Sequence, residues 1–450
     1  MEGSVALGQE VLMLATIIQN SVLLVKFIAL LGLSLNLAAL QHVTNVADAL
    51  IVASERRKKT LSALHRYLLE PSSDEYALAD SFRQSPWQAE EMRGKVLAFL
   101  LPYALGLAEK LKLEKVIFIS LDDSLCEKDP GTRHLQAVDW HHDHNARAKK
   151  QASYKNGSVY VLCRIQIGFI QFTVNWRLYL REQTVKQLNK GRAKAERLTY
   201  RSKFELAQEM LTDLAAYLPA DWKVYVLFDS WYAAKDLIRF IRRQQWHLIG
   251  GLKSNRTLNG KQLKQWFAKQ RPTPAQRLHP LAADGVTRQT YWVYVLTGRL
   301  NEVPDQVCVL ISRRHPGDKR PAYFFTTDLA LTPTRVLEKY GHRWGCEADN
   351  YDLKVFLGLA DYQVQSLASI LRWHAVVFLT LAFLQWRQVR VLARQPDAPV
   401  QSVAEVIALH RQEHLTAFVK AVAEAALEAG AVRPVLKRFL RWRPAGAAAT

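Results

Sequence analysis

Apolar residues recur at helical spacing toward the two ends of this chain and gather into short unbroken runs between them. Residues 1–70 carry Leu, Ala and Val at a helical period, and 11–43 is largely apolar. Within 27–40 only Ser34 and Asn36 are polar, yet Gln19, Asn20 and Lys26 interrupt every window long enough to span a bilayer. The pattern predicts buried helix and no stable membrane association. Glu70-Pro71-Ser72-Ser73-Asp74 reads as a turn, with Ser73 or Asp74 capping the next helix, and a further helix is predicted over 87–111. At Lys115 the period changes. Residues 116–121 form an apolar run ending at Asp122-Asp123, and 222–228 form a second ending at Asp229. Both read as buried strands with acids at their C-terminal ends. Residues 158–164 and 168–180 read as a hairpin, 204–218 and 233–244 as helices, and 246–252 as another strand.

The αβ alternation breaks over 253–328, where Pro-rich polar stretches flank strands predicted at 291–297 and 306–312. Helix returns over 332–357, followed by a long apolar helix at 367–386. A tail of two amphipathic helices ends in the basic-aromatic stretch 437–443. The expected organisation is a helical region (1–112), an α/β core in two parts (113–252 and 329–392), a β-rich insertion (253–328) and a helical C-terminal region (393–450).

Composition narrows the partner. Of 450 residues, 61 are Lys or Arg against 41 acids, a formal net charge of +20. That excess favours a polyanion, because basic side chains gain affinity by releasing counterions from phosphates. A solvated basic face, or a patch at anionic lipid, is the alternative. Four cysteines with no CxxC pair argue against a structural zinc site and against a disulfide framework, and fit a reducing cytosol.

The acids supply candidate chemistry. Two strand-end carboxylates, Asp122 and Asp229, converge if their strands are neighbours, and Glu347 on a downstream helix completes an all-oxygen set suited to Mg²⁺ or Mn²⁺. Taken singly, each could equally be a turn or capping acid. The helix is more specific. Tyr340, Arg343, Glu347 and Lys354 fall within an arc of roughly 60° at 3.6 residues per turn, placing a phenol, a guanidinium, a carboxylate and an ammonium on one face. An arginine beside a metal-binding acid makes sense where phosphate is also held.

Tyr, two residues, Arg, three residues, Glu, six residues, Lys resembles the YREK signature of the insertion-sequence-4 family of bacterial DDE transposases. Leu121-Asp122-Asp123-Ser124 resembles that family's first-acid motif, Phe228-Asp229-Ser230-Trp231-Tyr232 its second, and Gly251-Leu252-Lys253-Ser254-Asn255-Arg256 the strand that follows. Tyr323-Phe324-Phe325-Thr326-Thr327-Asp328 precedes the third-acid helix as in relatives. The resemblance covers about 115–390. It implies an RNase H-like fold, a mixed five-stranded sheet flanked by helices with a β insertion between the second and third acids. It also implies dimeric binding to transposon-end DNA, Mg²⁺-dependent strand cleavage and transfer, and a cytoplasmic, nucleoid-associated location. Carried over, Asp122, Asp229 and Glu347 are the metal ligands, and Tyr340, Arg343 and Lys354 contact the DNA backbone. Asp122 and Asp123 point to opposite faces if the strand continues; the family's Asp-x-Ser spacing selects Asp122.

Weaker signals surround this set. Trp140-His141-His142-Asp143-His144 reads as a polar loop near the site rather than a separate zinc site. Trp266 and Trp292, in the insertion, are candidates for stacking on an extruded base, against an ordinary core role. Lys253 and Arg256 follow a strand that should end near the acids, and are expected to meet phosphate. Three rival readings remain: another RNase H-like metal nuclease, an inactive or domesticated DNA-binding repressor, and, on the N-terminal apolar run alone, a membrane-surface protein.

Overall fold

The computed structural model describes residues 16–69, 74–142, 154–271, 273–282, 285–301 and 303–431, together with Val435 and Phe439. The chain forms two compact units, one of residues 1–92, 355–384 and 401–450, the other of 93–354 and 385–400.

The second unit is organised by its strands: β1 (Val116–Glu127), β2 (Asp139–His142), β3 (Tyr154–Ile167), β4 (Ile170–Tyr179), β5 (Lys223–Phe228), β6 (His247–Leu252), β7 (Thr257–Leu258), β8 (Lys261–Gln262), β9 (Gln276–Leu278), β10 (Tyr291–Arg299), β11 (Gln306–Arg313) and β12 (Ala322–Thr326). Five of them, in the order β4-β3-β1-β5-β6, form a mixed sheet of RNase H-like order. β3 runs antiparallel to both β4 and β1, and β5 and β6 run parallel to β1. The strands of the insertion do not stand apart from this sheet. β12 pairs antiparallel with β6, and β11, β10 and β9 follow outward, giving ten strands in one sheet. A short β7–β8 hairpin is separate.

Alternation along β1 assigns the two faces. Val116 and Phe118 join a core with Tyr225, Leu227, Ile249 and Leu310, covered by Val336 and Leu337 of the Pro333–Gly341 helix. The opposite face meets the Lys203–Ala215 helix, which buries Leu206, Met210, Leu211 and Leu214 and starts at a Ser202–Glu205 capping box.

In the first unit, the apolar N-terminal stretch is divided. The Val22–Leu31 helix stops at Gly32, which is left-handed at φ 57°, and Asn36 caps the next helix, Leu37–Val52, through Ala39 N–H. Asp74 caps its helix as expected. Among the described residues, one helix, Leu367–Ala393, is long and apolar enough to cross a membrane, and 89% of that window is buried within the protein. In the tail, Val403–Ala429 is one 27-residue helix, started by a Ser402–Glu405 box and uninterrupted by Pro or Gly before Gly430; a second tail helix would fall on residues that mostly lie outside the described ones. The basic-aromatic stretch 437–443 lies outside the described residues, apart from Phe439.

Candidate active site: three carboxylates and a buried arginine

β1 does not end at its acids. Its parallel pairing with β5 stops at Ser120–Leu227, but its antiparallel pairing with β3 continues to Glu127, so Asp122 and Asp123 sit within the strand. The fourteen-residue β3 holds one edge of β1 from Phe118 to Glu127, whereas β5 ends at Phe228 and leaves the other edge open beside the acids. The two acids therefore face opposite sides. Lys203 Nζ donates to Asp123 Oδ2 at 2.6 Å on the side of the Lys203–Ala215 helix. Asp122, on the other side, lies 3.6 Å from Arg343.

Asp229 is the first residue beyond β5, as expected. Its Oδ1 accepts the backbone N–H groups of Trp231 at 2.8 Å and Tyr232 at 3.3 Å, which folds the chain back over the strand end. This turn rests directly on β6. A Cβ on Gly251 would stand 2.8 Å from Ser230 N, so only glycine allows the backbone of residue 230 to come so close.

The helix expected over 332–357 instead changes pitch three times. An α-helix (Pro333–Gly341) passes into a 3₁₀ turn (His342–Trp344), a second α segment (Gly345–Tyr351) and a π turn (Asp352–Phe356). Two contacts explain the changes. His342 stacks on Phe118 of β1, with centroids 4.4 Å apart, and Gly345 lies where a Cβ would overlap the Arg164 guanidinium. Tightening and widening the pitch keeps Tyr340, Arg343, Glu347 and Lys354 directed at the sheet. π turns of this kind concentrate at functional sites.

Arg343 bridges the acids. It lies 3.6 Å from Asp122 and 3.5 Å from Glu347, with only 14% of its side chain exposed. Burial alone would lower its pKa, but Tyr340 and Asp122 outweigh that and keep the guanidinium charged. Burial pushes the Asp122 carboxyl up to about 7; Arg343 opposes the shift, while Glu347, Asp123 and Asp229 reinforce it. One arginine thus leaves the carboxylate charge under-compensated, and the donor set is entirely oxygen. Both features fit a hard divalent cation. The three carboxylates do not gather within 4.8 Å of one another, since the guanidinium stands between two of them.

A profile of the DDE superfamily endonuclease family matches residues 36–289, more than half of the chain. The chain belongs to this DDE superfamily. A transposase DDE domain profile matches 199–382, so the first match contains Asp122 and Asp229 and the second Asp229 and Glu347. Among solved structures, the chain is similar to a piggyBac transposase in a synaptic complex with hairpin DNA. The identity is 11% and the TM-score 0.46, over 94% of this chain and 83% of that one. No curated protein sequence matches significantly.

Sequence reasoning missed the residues that hold the segment carrying Glu347. Asp349, two positions after Glu347, is buried and pairs with Arg164 of β3 at 3.1 Å. It also accepts from Thr173 Oγ1 at 2.6 Å and Gln385 Nε2 at 3.1 Å. A lone arginine in the apolar run of β3 was the available signal, but its partner is 185 positions away by residue number (349 − 164).

The other predicted residues are placed as follows. Lys354 Nζ donates to Ser124 Oγ at 2.5 Å, on the Asp122 face of β1. Tyr340 packs on Phe324 at 4.8 Å, and the Arg343 guanidinium lies 5.9 Å from its ring. Lys253 and Arg256 occupy the loop after β6, at the same sheet end as Asp229 because β5 and β6 are parallel. The His141 region is not a loop up to His142: β2 pairs with β3 there, since residues 154–157 extend β3 beyond its pairing with β4 and offer an edge. Burial first, then Lys203, lowers the pKa of His141 to about 4. Asp143 and His144 lie outside the described residues. Trp266 lies on the Leu263–Gln270 helix, donates to Leu258 O at 2.9 Å and carries Lys261 and Lys269 over its ring. Trp292 lies on β10 beneath Arg277.

Proposed function

We propose that this chain is a cut-and-paste transposase of the insertion-sequence-4 type, cleaving DNA at the ends of its own element and joining those ends to target DNA as a homodimer. The observation that carries this reading is Arg343 between Asp122 and Glu347, on the same side of the sheet as a lysine, Lys354, of the same signature. A guanidinium among metal-binding acids has a use in phosphodiester chemistry, where phosphoryl oxygens meet the arginine and the acids meet the cation.

Asp122, Asp229 and Glu347 would hold Mg²⁺ or Mn²⁺. The chemistry such ions supply is activation of an attacking hydroxyl and stabilisation of the leaving oxygen. The chain's own residues do the rest. Arg343 and Lys354 receive the scissile phosphate and its neighbour. Tyr340, whose pKa burial raises, stays a phenol and donates a hydrogen bond to the same strand. Lys253 and Arg256 take the backbone at the adjoining strand end, and the net charge of +20 supplies the rest of the DNA affinity.

The test uses purified protein with DNA carrying the element's ends. Cleavage and strand transfer are expected with Mg²⁺ or Mn²⁺ and absent in excess EDTA. Asp122→Ala, Asp229→Ala and Glu347→Ala should each lose at least about a hundredfold in rate while keeping end binding, since affinity comes mainly from basic residues. Asp123→Ala should retain cleavage. Binding without cleavage in any metal would identify a repressor; cleavage without strand transfer would identify a nuclease of another kind.

A further inference from the structure

Three ionisable side chains outside the DDE site meet inside the first unit. Asp48 belongs to the Leu37–Val52 helix, His410 and His414 to the Val403–Ala429 helix, and all three are buried. The histidines are four residues apart, so both imidazoles leave one face of their helix. Their Nε2 atoms lie 2.6 and 2.9 Å from Asp48 Oδ1, and one ligand atom from each residue falls within 4.8 Å of the other two. Ser21 N–H donates to Oδ2 at 2.8 Å, which fixes the carboxylate and leaves Oδ1 to the imidazoles. Phe383 stands edge-on to His410 at 5.8 Å and Phe27 packs on Phe383 at 5.7 Å, enclosing the cluster in apolar rings.

The charge of this cluster is unusual. Burial pushes the Asp48 carboxyl up, but hydrogen bonds and charge from His410 and His414 outweigh it and hold it at about 2. The groups that stabilise the anion are both imidazoles, the commonest side-chain ligands of a metal ion. A divalent cation shared by the three side chains would balance the carboxylate.

We propose that Asp48, His410 and His414 form a structural Zn²⁺ site that fastens the Val403–Ala429 helix to the Leu37–Val52 helix. Two imidazole nitrogens and one carboxylate oxygen make a donor set suited to Zn²⁺ rather than Mg²⁺, with a fourth coordination position left over. The site closes the chain between residues 362 positions apart, the kind of long loop whose closure by a metal clip stabilises most. It contains no cysteine, so cysteine spacing does not reveal it.

Full-length protein purified without chelator is expected to carry about one Zn²⁺ per chain by elemental analysis. Removing it should lower the melting temperature by about 5 °C or more, and adding Zn²⁺ or Co²⁺ should restore it. Co²⁺ should show the strong visible absorption of a four-coordinate ion. His414→Ala and Asp48→Asn should lose that band and the metal-dependent part of the melt, whereas Asp229→Ala should keep both. Because His414→Ala risks misfolding, stripping and reconstituting the unaltered protein is the deciding arm. If that protein neither carries nor takes up Zn²⁺ or Co²⁺, and a chelator leaves its melting unmoved, the cluster is a hydrogen-bonded triad and the proposal falls. A Co²⁺ band that survives in folded His414→Ala overturns it equally.

Discussion

Asp122 and Asp123 are neighbours in sequence but differ in surroundings: one faces Arg343, the other is held by Lys203. Pleating makes that division, since consecutive side chains on a strand take opposite faces. At the same scale, Gly251 works through what it lacks. Gly251→Ala would push a methyl group against Ser230 N and displace the turn that carries Asp229. Cleavage should fall by about tenfold or more, since misplacement of a site by about 1 Å is that costly, with melting changed by only a few degrees. Unaltered cleavage would mean that the 230 turn does not position Asp229. Arg343→Lys keeps the charge and removes the planar fork, so it should weaken binding of pre-cleaved ends without shifting the melt. A large melting loss with normal end binding would assign Arg343 to the fold.

The third-acid segment shows how an element is held in place. Its pitch changes keep its polar face on the sheet, and the Arg164–Asp349 pair fastens it from beneath. Arg164→Met leaves Asp349 buried without its cation, a change that typically costs about 3–5 kcal/mol. The double variant Arg164→Met with Asp349→Leu should recover much of that stability, because both desolvation costs disappear. It should not recover cleavage, because the residue next but one to Glu347 has lost its anchor. Chemical denaturation of the three proteins beside a cleavage assay checks this. A double variant as unstable as the single one would show that packing, not charge, dominates the site.

For the whole molecule, one buried cation should mark the pH dependence of stability. Lys59 is almost fully buried, donates to Leu50 O at 2.7 Å and to Phe356 O, and burial, assisted by Arg411, lowers its pKa to about 7. Between about pH 7 and the ordinary lysine value, the unfolded chain binds a proton that the native chain does not. Stability should therefore rise with pH in that window, by at most about 1.4 kcal/mol per pH unit from this group, and the rise should be missing in Lys59→Met. Parallel pH profiles for the two proteins would refute it. Much of the molecule was legible in the chain alone. Apolar runs located β1, β5 and β6, the changes of period located the helices between them, and motif spacing singled out Asp122, Asp229, Glu347 and the arginine and lysine beside them. Those features are local, written in a period of two or of 3.6 or in short spacings. What tertiary structure alone decided depends on residues distant in sequence. The length of β3 carries β1 past its acids, pairing with β6 draws the insertion strands into the same sheet, and contacts with Phe118 and Arg164 break the third-acid helix. Arg164 and Asp349, like Asp48 and His410, are paired only by folding, because no local period relates residues that lie 185 or 362 positions apart.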